Sequence, residues 1–169
     1  MLNKRVIVFC IILVVLTAAL QAAPRIFGNA FDFAVILSGL PVYIAARFNC
    51  AVGISVYLAA TILSAYMNTG EAIFFICTNG FIGLSLGIIK YRFKSTYTIP
   101  AISALIIILI LFIINYSFGI NILGNSTFKT PISQALALFP ILYVYCLLYL
   151  KLAMFADNLI HRNIELNIR

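Results

Sequence analysis

The sequence predicts an all-α membrane protein, a bundle of six transmembrane helices, and three observations carry that prediction. Hydrophobic residues make up 64% of the chain and charged residues only 9%, against about 25% charged in an ordinary soluble domain. That leaves too little polar surface to cover a globule in water, so lipid is the expected solvent. Apolar runs of about 18 residues or more recur along the chain, the length a helix needs to cross a bilayer. A β-barrel would instead show short segments of alternating hydrophobicity. Finally, lysine and arginine fall in register with alternate connections, as expected for a chain threaded repeatedly through a membrane.

The first expected span covers Val6–Ala23 and is closed by Pro24. It resembles a signal peptide, with a basic start and an apolar core, but no A-x-A site closes the run, and it is read as a retained helix. The second, Ala30–Ala46, is short and contains Asp32, Gly39 and Pro41. The third covers Cys50–Met67, the fourth Glu71–Ile89, the fifth Ile99–Phe118 and the sixth Ser133–Ala156. Residues 1–156 thus form one transmembrane domain, and 157–169 a short cytoplasmic tail. With the N-terminus in the cytoplasm, nine basic residues fall inside: Lys4, Arg5, Arg47, Lys90, Arg92, Lys94, Lys151, Arg162 and Arg169. Only Arg25 and Lys129 fall outside. The expected location is therefore the plasma membrane, multi-pass, with both termini cytoplasmic. The net charge of +7 is explained by a basic rim facing anionic lipid, with no nucleic-acid partner.

Small residues mark where helices should touch, because helices in lipid associate through close backbone approach rather than hydrophobic contact. Ala18 and Ala22, with Ala19 and Ala23, form such a pattern in the first span, and Gly83 and Gly87 in the fourth. At 100° per residue, Ala72, Asn79, Gly83 and Gly87 share one face of the fourth helix. Asn79 is expected either to bond a neighbouring helix from that face or to face a cavity.

Catalytic signatures are missing. There is no G-x-S-x-G, H-E-x-x-H, P-loop or dinucleotide fingerprint, and no enzyme activity or cofactor is expected. Cys10, Cys50, Cys77 and Cys146 form no C-x-x-C pair and read as small packing residues. His161 is the only histidine, so no metal site is expected. Polarity outside the basic rim gathers instead on the outer side. Asn29 lies between spans one and two, and Asp32 where that outer connection enters span two. Asn68 and Glu71 belong to "NTGE", and Thr78 and Asn79 lie below it. Asn125 and Lys129 lie between spans five and six, where Asn125-Ser126-Thr127 also fits the glycosylation pattern. An ionisable residue at a membrane face is a functional candidate by default. These eight residues are the expected contacts for a small solute. Glu71 would bind a cationic or hydroxyl-bearing group.

The stretch Ala34–Lys94, with Gly39-Leu40-Pro41 in a short helix, a small-residue third helix, the Asn68–Glu71 turn and a glycine-rich fourth helix, resembles the S components of energy-coupling factor (ECF) transporters. These are the substrate-capturing membrane subunits of bacterial micronutrient importers. The resemblance covers about a third of the chain strongly and the rest by topology. It implies capture of a small solute from the outer face, with import driven by an energising transmembrane subunit and cytosolic ATPases. In S components an Ala-x-x-x-Ala motif in the first helix docks on that subunit; here the alanine pairs lie toward the outer end. The alternative is a non-catalytic membrane scaffold of the cell-shape or cell-envelope type with no ligand, in which Glu71 caps its helix, Asn68 or Thr69 is the N-cap and Asn79 fixes helix pairing.

Overall fold

The computed structural model describes residues 4–93, 95–118 and 131–166, with the side chains of Arg5, Asn29, 114–118, Pro131 and 159–166 excepted. All of its regular elements are helical. They are α1 (Lys4–Phe27), a single 3₁₀ turn (Asn29–Phe31), α2 (Asp32–Leu37), α3 (Gly39–Phe48), α4 (Cys50–Met67), α5 (Thr69–Cys77), α6 (Asn79–Arg92), α7 (Thr98–Phe118) and α8 (Pro131–Leu166). Four stretches are long and apolar enough to cross a membrane: Val6–Phe27, Cys50–Met67, Thr69–Arg92 and Ile132–Asn158. Thr98–Ile113 is a shorter apolar helix.

Three of the expected spans are corrected. Pro24 does not end the first span; α1 runs on to Phe27 with Pro24 inside it. Proline lacks one donor and crowds the preceding turn, but here barely a turn remains beyond it. Gly28 is the true terminator. At φ +88° it takes the left-handed conformation open to glycine, and its N–H bonds the Pro24 carbonyl at 2.7 Å, closing the helix end. The second span is not one helix from Ala30 to Ala46. It starts as the 3₁₀ turn and is broken at Ser38 into α2 and α3. The fourth span is interrupted too, at Thr78 (φ −125°, ψ −101°), between α5 and α6.

The short helix α3 is the centre of the molecule, packed against α1, α4, α6 and α8. Its backbone is pinched between glycines. A Cβ on Gly83 would collide with the Gly39 backbone, one on Gly87 with Ala46 and the Tyr43 carbonyl, and one on Gly53 of α4 with Ala46. The glycine face of the fourth span therefore has α3 as its partner. Ala72, Asn79, Gly83 and Gly87 are all buried, as the 100° periodicity predicts. Ala18 and Ala22 are also buried, at 4% and 2% exposure.

Around this core the surface is oily. Ile11, Ile12 and Val15 of α1, Leu58 and Ile62 of α4, and Leu105 and Leu109 of α7 are all exposed, as a lipid-facing shell requires. Tyr66 at one end of the bundle, and Tyr91 and Tyr97 at the other, are exposed, where amphipathic rings sit at membrane interfaces. These features fit a multi-pass membrane protein.

At the Tyr97 end, Arg47 in the last turn of α3 forms an ion pair with Asp157 of α8, whose side chain is only 6% exposed. Asp157 opens the segment read as the cytoplasmic tail; α8 continues past it, and the carboxylate turns inward to meet Arg47.

Candidate functional site

The two helix breaks face each other, and their chemistry explains the polar residues between them. In lipid every backbone group needs a partner, so a broken helix must recruit side chains. At the α2–α3 break, the Val35 carbonyl accepts from the Ser38 N–H at 3.2 Å. Asn79 Nδ2 donates to the same oxygen at 3.0 Å. At the α5–α6 break, Thr78 Oγ1 donates to the Phe74 carbonyl at 2.6 Å, and Tyr57 of α4 donates to the Ile76 carbonyl at 3.0 Å. Asn79 is thus buried, at 4% exposure, and ties one interrupted span to the other. Its Oδ1 accepts from Tyr145 of α8 at 3.0 Å, so three segments meet on one amide.

Above Asn79, toward the Asn68 end, the helices part around a cleft of about 720 Å³. Its walls are Gln21 and Pro24 of α1, Asp32, Val35 and Ile36 of α2, Gly70, Glu71 and Phe74 of α5, Thr78, Asn79 and Ile82, and Ile141, Leu142 and Tyr145 of α8. The volume is in the range of a small-molecule site, as is the pattern of apolar walls with a few placed polar groups. Burial along α8 is uneven. Among its described side chains the buried ones are Cys146, Tyr149, Leu150, Ala153 and Asp157. Before Cys146, Ile132, Leu136 and Ile141 are exposed, while Leu142 and Tyr145 are half-buried against the core.

Four of the eight expected contacts line this cleft: Asp32, Glu71, Thr78 and Asn79. Asn68 does not. It is the N-cap of α5, its Oδ1 accepting from the Gly70 N–H at 2.9 Å and the Glu71 N–H at 3.5 Å. Its Nδ2 donates to Glu71 Oε1 at 3.1 Å, a reciprocal arrangement like a capping box. Glu71 therefore serves the helix start, where a carboxylate is favoured by the dipole, and still borders the cleft. Asn29 falls in the 3₁₀ turn beside Asp32. Asn125 and Lys129 lie outside the described residues, as does the Asn125-Ser126-Thr127 pattern.

Sequence reasoning missed Gln21 and Tyr145. Gln21 is 3% exposed; its Oε1 accepts from Ser38 Oγ at 2.9 Å, and its Nε2 donates to the Glu71 carbonyl at 3.3 Å. A lone amide in an apolar run was the available signal. Tyr145 carried none, being one of nine tyrosines. Arg25, counted as an outer charge, donates to the Met67 carbonyl at 2.6 Å, where a cation complements the helix C-terminus. Among the described residues no group of three or more His, Cys, Asp or Glu could hold a metal ion. Comparison of the chain with protein-family models, curated proteins and solved structures returns no match.

Proposed function

We propose that this chain is a substrate-binding membrane subunit of an importer, capturing a small solute at its outer face. The observation that carries the reading is the cleft: a site-sized cavity that gathers Asp32, Glu71, Thr78 and Asn79 from three different helical segments. A scaffold needs no such opening, and the rest of the bundle, pinched glycine to glycine around α3, is packed tightly enough to do without one. In this reading the Asn68 end faces outward and the basic Arg47–Arg92 end faces the cytoplasm. Import then requires an energising transmembrane partner and cytosolic ATPases of the ECF type.

The test is solute binding by the purified protein across a panel of vitamins, amino acids and metal ions, wild type against Glu71→Ala and Asn79→Ala. Saturable binding that weakens in Glu71→Ala is expected. Absence of binding across the panel, with cell-wall or division proteins rather than ATPases co-purifying, would overturn the reading in favour of the scaffold.

A further inference from the structure

The hydrogen bonds around the cleft specify what can enter it. At the floor the hydroxyl protons of Thr78 and Tyr145 are spent within the protein, and the amides of Asn79 and Gln21 each hold two partners. Asn79 holds Val35 and Tyr145, and Thr78 holds Phe74. Gln21 holds Ser38 and Glu71. A ligand's deep portion therefore meets mostly apolar side chains, and a polar group placed there must share lone pairs and N–H groups that already serve the protein's own bonds. The mouth is the opposite. Asp32 is exposed and makes no ion pair or hydrogen bond among the described residues. Glu71 has one oxygen engaged by Asn68 and keeps spare acceptor capacity. Among the described residues no lysine, arginine or histidine lines the cleft, and the neighbouring cation, Arg25, is turned to the Met67 carbonyl. The mouth accepts, and the floor offers chiefly apolar surface.

We propose that the cleft takes an organic cation with an apolar body, its ammonium group held at Asp32 and Glu71 and its body lying against Ile36, Phe74, Ile82 and Ile141. This rests on the solute-binding reading of the same cleft. An ammonium presents up to three donors to an acceptor-only mouth, and charge-assisted bonds are about twice as strong as neutral ones. A neutral alcohol brings one donor and no charge; a carboxylate is repelled. Ca²⁺ or Mg²⁺ would need six or more oxygen ligands, which two carboxylates on apolar walls do not supply, and among the described residues no cluster of three His, Cys, Asp or Glu offers Zn²⁺ a site. Ile36, Phe74 and Ile141 are exposed at the cleft's flank, so the same chemistry can arrive from water or sideways from the bilayer.

The test uses three matched probes, 4-phenylbutylamine, 4-phenylbutanol and 4-phenylbutyrate, on the full chain in phosphatidylcholine nanodiscs. The chain has nine tyrosines and no tryptophan, so Phe74→Trp gives a single tryptophan in the cleft wall, excited selectively at long wavelength; thermal stabilisation of the unmodified chain is a second readout. The amine should bind saturably and at least about tenfold more tightly than the alcohol. Asp32→Asn and Glu71→Gln should each weaken the amine about tenfold and leave the alcohol unchanged. Stearylamine and stearate dissolved in the disc form the second arm. A response to the membrane amine but not the aqueous one upholds the ligand chemistry and assigns its source to lipid. Butyrate or alcohol binding as tightly as the amine overturns this proposal and leaves solute binding intact. No response to any probe in either readout overturns this proposal as well, and the solute panel alone decides the binding reading.

Discussion

Asn79 is the residue on which the most structure converges, and its replacement should be read as the loss of two interhelical hydrogen bonds rather than of a ligand contact alone. Such bonds in a membrane average about 0.6 kcal/mol each. Asn79→Leu should therefore cost about 1–2 kcal/mol in reversible unfolding in mixed micelles, and Tyr145→Phe about half of that. Gly83→Ala should cost about 1–3 kcal/mol in the same assay, because the added methyl meets the Gly39 backbone, which has no rotamer to yield. The helical periodicity was enough to foresee that Asn79, Gly83 and Gly87 share a buried face. It could not say that a broken carbonyl, that of Val35, was the amide's partner, because nothing local to Asn79 encodes the geometry of a segment 44 residues away.

At the scale of elements, apolar run length located the first, third, fourth and sixth spans, and it failed where a helix is interrupted. Ser38 and Thr78 are ordinary helix residues by propensity. Their breaks are sustained by bonds from Gln21, Asn79 and Tyr57 on other elements, so no local pattern announces them. Gly28 is the exception, since a glycine just past a long apolar helix is a stop signal. Gly28→Ala should destabilise the protein by about 1–2 kcal/mol through its left-handed backbone. The tie between α3 and α8 is likewise non-local. A double-mutant cycle on Arg47→Ala and Asp157→Ala should give a coupling of about 1 kcal/mol, modest because a third of the Arg47 side chain meets solvent.

For the whole molecule, the charge pattern makes a claim that labelling can check. With the four cysteines replaced by alanine, Tyr66→Cys should react with a membrane-impermeant maleimide added outside intact cells, and Tyr97→Cys only after lysis. The reverse result would invert the orientation. The same overview gives α8 a mechanical character. It is held from Cys146 to Asp157 and is exposed or half-buried before that among the described residues. From Cys146 to Ile141 is about 7.5 Å of helix at 1.5 Å per residue. A tilt of about 10° at Cys146 therefore moves Ile141 by only about 1 Å. The Ile141 wall stands beside an anchorage rather than at the end of a long arm, so the aperture's width is a property of the packing around Cys146 and Tyr149.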